Sequence, residues 1–354
     1  MTTTSRPRRR SVQVAGLPGT RPTRTPLGGV LVGIDTGQDP RTRADEATSR
    51  PLGALAWAVA EARASGRPLH LLTACAPSEP LSPAFGRLAT PYPEPAWDSA
   101  GPALEALVEA LPDPEARSAT TGVTTERATG HAWEVLLEAC PDAGILVIGQ
   151  RRLGAVRRWV EGSTSMAVVG RCPVPVAVVP DDWPPPGARD TTDPVTVGVD
   201  LHPGDLRTPT DGVTGRHLRR HRVERAEATV GFAAAYAARH GVALRVLCSW
   251  DPPPELAWSD DQLATHEARR TADLESWVEG LTDRPSGLDV RVETSVGRAA
   301  ERLVAYAASS SLTVVGRHSG LAHTPGRSFG SSTRALLRHA PSPVVVVPPT
   351  EPRR

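Results

Sequence analysis

The chain is written twice. Val30-Leu-Val-Gly-Ile-Asp35 returns as Val195-Thr-Val-Gly-Val-Asp200, and Ile145-Leu-Val-Ile-Gly149 returns as Leu312-Thr-Val-Val-Gly316. The Pro-Val run at 172–180 returns at 342–348. The copies lie about 165 residues apart, so the repeat unit is a whole domain and not one turn of a solenoid. A length of 354 residues suits two domains of roughly 150 residues each, bounded by the repeats at 29–180 and 195–349. The intervening 181–194 is rich in Pro and Asp, stiff at Pro184-Pro185-Pro186 and unable to extend a sheet. Residues 350–354 form a short tail.

Within each copy, short runs that are apolar throughout alternate with stretches of helical period. The first copy predicts strands at 30–34, 69–73, 122–126, 145–148 and 174–179, with helices at 52–64, near 103–111, at 133–140 and after Ser163. The second predicts strands at 195–199, 244–248, 288–293, 312–315 and 344–347, with helices at 223–239, 263–281, 299–308 and 332–339. Strands without polar alternation, each separated by a helix, imply a parallel sheet covered on both faces. Right-handed crossovers then give an α/β fold of two tandem, doubly wound, five-stranded parallel sheets. The Val-rich final strand of each copy is expected at a sheet edge, where a bare apolar strand invites pairing.

Composition removes several classes of chemistry. All 40 basic residues are Arg, so a Walker A lysine, a Schiff-base lysine and a lysine general base are excluded. The opening 1–28 holds six Arg and no acid. It reads as a solvated, disordered basic tail, since its Thr, Pro and Gly cannot build a core, and the mildly acidic remainder argues against nucleic acid as the partner. No apolar run follows those arginines, and none reaches the roughly 18 residues of a membrane span. Cys75, Cys140, Cys172 and Cys248 stand far apart without metal-ligand spacing, as reduced, buried thiols of a cytoplasmic protein would.

The candidate chemistry follows the fourth strand. In the second copy Gly316-Arg-His-Ser-Gly320 is followed by Gly330-Ser331-Ser332 and a helical Ala335-Leu-Leu-Arg. Glycines permit close approach and positive φ, and a Gly-Ser-Ser step opening a helix offers N–H groups and hydroxyls to phosphate oxygens. Ligands of open parallel sheets sit beyond the carboxyl ends of the strands, where strand order reverses. If the first and fourth strands are neighbours there, Asp200 and Gly316 flank one crevice. Histidines 318 and 323 read as solvated loop residues. Trp57, Trp133 and Trp277 read as helix-packing residues, and the role of Trp97 is left open.

The spacing of two loop glycines, Gly-Ser and a closing Pro-Val-Val-Val strand, beside the first-strand aspartate, resembles the universal stress protein family, in tandem and from Val30 onward. That resemblance implies an adenine nucleotide α-hydrolase-like fold of strand order 3-2-1-4-5 and a regulatory, non-catalytic, ATP-binding role in stress response, with Mg2+ as an optional companion. It implies that the first-strand aspartate contacts the ligand, the backbone at the second strand's end meets adenine, and the glycine loop holds phosphate and ribose. In this chain those positions are Asp200, Ser249, Gly316, Gly320, Gly330, Ser331 and Ser332. In the first copy they are Asp35, Ala74, Gly149, Gly162 and Ser163. It also implies that the two final strands join the copies into an internal pseudo-dimer, with a further homodimer left open. Arg152 stands where the first copy's second glycine belongs, either filling the phosphate space or binding phosphate itself. The second copy has one extra residue between its first glycines, and each copy carries an insertion after its aspartate, at 36–50 and 201–220. The competing readings are an interaction module with vestigial sites and a slow ATP-hydrolysing enzyme.

Overall fold

The computed structural model describes residues 14–15, 21–36, 52–75, 94–111, 122–150, 163–184, 192–202, 205, 213–252, 259–281, 285–317 and 330–349. The first copy runs β1 (Val14–Ala15), β2 (Val30–Ile34), α1 (Leu52–Ser65), β3 (Leu69–Cys75), α2 (Glu94–Glu109), β4 (Val123–Thr129), α3 (Ala132–Ala139), β5 (Ile145–Gln150), α4 (Ser163–Arg171) and β6 (Val176–Pro180). The second runs β7 (Val195–Gly198), α5 (Val213–His240), β8 (Leu244–Trp250), α6 (Asp260–Glu279), β9 (Val290–Val296), α7 (Ala299–Ala307), β10 (Leu312–Gly316), α8 (Ser331–His339) and β11 (Val344–Val347).

The strand order is β1-β4-β3-β2-β5-β6-β11-β10-β7-β8-β9. Counted within its own copy, each half reads 3-2-1-4-5, and every neighbour inside a copy is parallel. The halves are not separate sheets. The final strands β6 and β11 pair antiparallel, with Val344 opposite Val178, Val345 opposite Ala177 and Val346 opposite Val176. Left alone, each of these strands would be an apolar edge offering unpaired N–H and C=O groups. Paired, they turn two sheets into one.

Both faces of that sheet are buried because helices cover both. Val30, Val32, Val195 and Val197 face α1 and α5, in a core that also holds Ala177 and Val345. Leu31, Leu146, Val176 and Val346 face the other way, with Leu136 of α3, Leu303 of α7 and Leu336 of α8. Each core layer therefore runs across the seam. On the first face α1 meets α5: the Trp57 and Tyr236 rings stack 5.9 Å apart. Glu61, 1% exposed, takes Arg239 at 2.7 Å and His240 at 2.9 Å from the other copy.

Three expectations need correction. The expected tail is not all tail: β1 pairs with β4, and residues 21–28 are tied to the first copy. Thr25 donates its N–H (3.0 Å) and hydroxyl (2.9 Å) to the Ala139 carbonyl, and Thr23 donates both its N–H and its hydroxyl to the buried Glu126 carboxylate. Short hydroxylated residues can satisfy a buried acid without a core of their own. Second, α5 begins ten residues before the predicted 223, inside the insertion after Asp200. Asp205, 4% exposed, accepts a fork from Arg222 at 2.9 and 2.6 Å and the His202 N–H at 2.8 Å, anchoring the insertion to the helix. Third, α2 begins at Glu94 and buries Trp97, whose ring lies 4.6 Å under the Arg127 guanidinium. No helix among the described residues is long and apolar enough to cross a membrane. All four cysteines are free thiols, and buried.

Candidate functional site

The strand order reverses between the first and fourth strands of each copy, which the structure makes direct neighbours. In the second copy β7 pairs β10, with Gly198 opposite Val315, so Asp200 and Gly316 stand just past the last paired residues on adjoining strands. Strand residues alternate between faces. Val195, Val197 and Val199 face α5, while Thr196 turns the other way to meet Ser310 at 2.7 Å. Asp200 shares that second side, and its carboxylate is about half exposed. His202 Nε2 lies 4.0 Å from it, an exposed pair of little energetic weight.

β8 overruns β7. The last ladder bond between them joins the Val199 N–H to the Leu247 carbonyl at 3.0 Å. In a parallel strand, alternate residues direct both backbone groups to alternate neighbours. Trp250 turns its carbonyl to the β9 side, accepting from the Gly297 N–H at 2.9 Å. Ser249 must then turn its N–H and C=O to the side that β7 has vacated, beside Asp200. The Ser249 hydroxyl is itself buried without a hydrogen-bond partner. Trp250, one residue on, is covered by Arg270 at 5.3 Å and meets the His266 ring at 4.7 Å, so its faces are not open to a stacked base.

α8 returns from the end of β10 to the start of β11, so its N-terminus stands at the carboxyl edge of the sheet. Gly330 is its N-cap, with φ −70° and no side-chain cap bond. Ser331 is exposed and Ser332 half-buried in the first turn, where N–H groups lack helical partners. Positive φ is not what these glycines supply. Neither Gly149, Gly316 nor Gly330 adopts it. At Gly316 the close approach is to the protein itself: an added Cβ would fall 2.8 Å from Thr229 Oγ1 and 3.1 Å from Arg225 Cγ.

Arg225 is a residue the sequence reading missed. Its aliphatic stem, reaching from α5, lies against Gly316 at the end of β10. Burial lowers its pKa from the ordinary value; the Asp200 carboxylate opposes that and Arg222 adds to it. In sequence it was one arginine among several at 216–225. The available signal was Thr229, one helical turn on and so on the same face.

The first copy is built differently. Asp35 is exposed, which removes a buried structural role, and Ala74 is half-buried at the β3 end. Opposite Gly149 stand Ala54 Cβ at 3.7 Å and the Asp181 carboxylate at 3.4 Å from an added Cβ. A carboxylate holds the ground where the second copy has an arginine. Gln150, 6% exposed, is committed elsewhere, donating to the Leu337 carbonyl of α8. Arg317, its counterpart after Gly316, donates to the Val169 and Cys172 carbonyls at 3.1 and 2.7 Å, at the end of α4. Each copy's fourth strand thus braces the other copy's last helix. Ser163 opens α4. Arg152, Gly162 and Gly320 lie outside the described residues.

Two doubly wound units, joined edge to edge through their last strands, define a tandem α/β protein. The universal stress protein family matches the sequence twice, over residues 30–180 and 222–348. The chain belongs to that family. It is 28% identical over 327 residues to a universal stress protein of Mycolicibacterium smegmatis, covering 91% of this chain and 97% of that one. A universal stress protein of Mycobacterium tuberculosis is 30% identical over 229 residues, or 63% of this chain and 65% of the relative. Among solved structures, a universal stress protein from Archaeoglobus fulgidus superposes with a TM-score of 0.53 at 14% identity, covering 92% of this chain and 98% of that one. At that identity the likeness speaks for the fold.

Proposed function

We propose that the second copy binds an adenine nucleotide, ATP in the first instance, and that the chain acts in the cytoplasm as a stress-response regulator through its ligand state and not through turnover. One observation supports the reading: β7 and β10 are neighbours, so that Asp200 and Gly316 follow their last paired residues, with the backbone edge of Ser249 beside β7 and the start of α8 at the same end of the sheet. Each element suits a different part of the ligand. A half-exposed carboxylate accepts ribose hydroxyls, a strand edge with N–H and C=O free of its neighbour reads an adenine edge, and a helix start receives phosphate. The orphaned Ser249 hydroxyl adds a buried polar atom that a ligand would satisfy. Among the described residues no three His, Cys, Asp or Glu side chains group to hold a metal, so Mg2+ would be held chiefly by the triphosphate it accompanies.

The first copy serves on this reading as a partner domain, because Arg152 stands where its second loop glycine belongs. Titration calorimetry of the full chain with ATP tests the proposal. One site per chain is expected, weakened about tenfold or more by Asp200→Ala, the loss of a hydrogen bond to a charged group. No heat of binding at millimolar ATP would leave an interaction module with vestigial sites. Steady ATP hydrolysis abolished by the same substitution would make the protein an enzyme instead.

A further inference from the structure

Arg225 is a half-buried guanidinium that, among the described residues, neither donates a hydrogen bond nor closes an ion pair. Its neighbours on α5 differ. Arg222 forks onto Asp205 at 2.9 and 2.6 Å, Arg220 holds Glu224 at 2.7 Å, Arg219 donates to the Asp205 carbonyl at 2.8 Å, and Arg239 holds Glu61 at 2.7 Å. Arg225 also differs from them in position: its stem packs on Gly316 and it feels the Asp200 charge, so it stands over the reversal between β7 and β10. A half-buried guanidinium that no protein group has claimed is available to any oxyanion that reaches it. Its planar fork matches two oxygens of a phosphoryl group, which a point charge does not.

We propose that Arg225 is the phosphate-reading residue of the second copy, and that it makes the crevice select phosphorylated nucleotides over the nucleoside. This rests on the nucleotide reading of that crevice and deepens it. It adds α5, through the Arg225 stem packed on Gly316, to the elements that would meet the phosphates beside the start of α8. It also separates the two copies: among the described residues the position across from Gly149 is taken by Ala54 and Asp181, and no arginine stands there.

The test is calorimetric titration of the full chain and of its Arg225→Ala, Arg225→Gln and Arg225→Lys variants with adenosine, AMP, ATP and inorganic pyrophosphate. Thermal melts establish that each variant is folded. The wild type should prefer ATP to adenosine by tenfold or more. Arg225→Ala and Arg225→Gln should lose roughly 10- to 100-fold in ATP affinity, with adenosine unchanged, and Arg225→Lys should keep part of the preference. An ATP-to-adenosine ratio equal in wild type and both neutral variants overturns the proposal. If pyrophosphate binds in an Arg225-dependent way while no adenine ligand binds, the nucleotide reading fails and the phosphate role stands. If neither binds the wild type, both fall.

Discussion

At Gly316 a methyl group has nowhere to go. Thr229 Oγ1 and the Arg225 stem already occupy the space at 2.8 and 3.1 Å from where it would sit. Gly316→Ala should cost about 1–3 kcal/mol, the usual penalty for overpacking, read as a lower urea midpoint. Because one of the displaced groups is Arg225, the same variant should also bind ATP less tightly. Gly198→Ala would meet the flexible end of Leu303 at 2.7 Å, and should cost less since that terminus can turn away. Glycine at the end of the fourth strand was legible in the sequence as a point of close approach, though to a ligand and with positive φ, where the structure shows helix α5 as the neighbour and no positive φ. The identity of its neighbour was not, because packing of α5 on β10 is a long-range fact. Arg225 was hidden for the same reason: an arginine whose charge is answered and one left waiting are the same letter, and only Asp205, itself in an insertion without pattern, separates Arg222 from Arg225.

Among the elements, the arm ahead of β2 departs furthest from what composition implied. Local reading sees Thr, Pro and Arg and finds nothing to bury; the bonds that hold Thr23 and Thr25 span more than a hundred residues of chain. They close over Glu126, which has the buried His70 ring 3.2 Å away. Burial alone would raise the Glu126 pKa, but His70 and Thr23 together outweigh it and hold the carboxyl below its ordinary value. A depressed carboxyl adds stability above its unfolded pKa of about 4.3 and loses it as pH falls through the lower folded value. Deleting residues 1–28 should therefore lower the urea midpoint at neutral pH and flatten the acid limb of stability below pH ~4, measured by denaturation across pH 2–7. An acid limb unchanged by the deletion would mean that the arm's bonds to Glu126 contribute nothing. The central strands, by contrast, were legible to within a residue or two, because a strand covered on both faces writes itself as Val, Ile and Leu; the polar β4 and β9 were displaced by up to three residues. Helix starts were less so: α5 and α2 begin in charged or Pro-rich stretches whose helicity comes from tertiary anchors such as the Asp205–Arg222 fork.

For the whole molecule, the duplication foretold two domains, and the apolar final strands foretold a pairing. That both core layers pass through the seam could be learned only from the register, since it is the antiparallel alignment of β6 with β11 that brings Ala177 and Val345 into one layer. Ala177 and Val345 are directly opposed. Cysteines introduced at both positions should bridge within one chain under mild oxidation, giving a faster-running monomer band on a non-reducing gel. A ladder of covalent dimers, or no bridge at all, would contradict the seam.

The seam has a consequence for how the two halves can change. In a two-fold assembly of identical chains, any substitution appears on both sides of the interface and in both crevices at once. Fusion into one polypeptide lifts that constraint. The residue after the fourth-strand glycine is Gln150 in one half and Arg317 in the other, yet each still reaches the last helix of its partner half. Facing Gly149 there is Asp181, and facing Gly316 there is Arg225. One half is thus free to change the residues around its fourth-strand glycine and keep its grip on the other, a freedom that a symmetric pair of separate chains has no way to inherit.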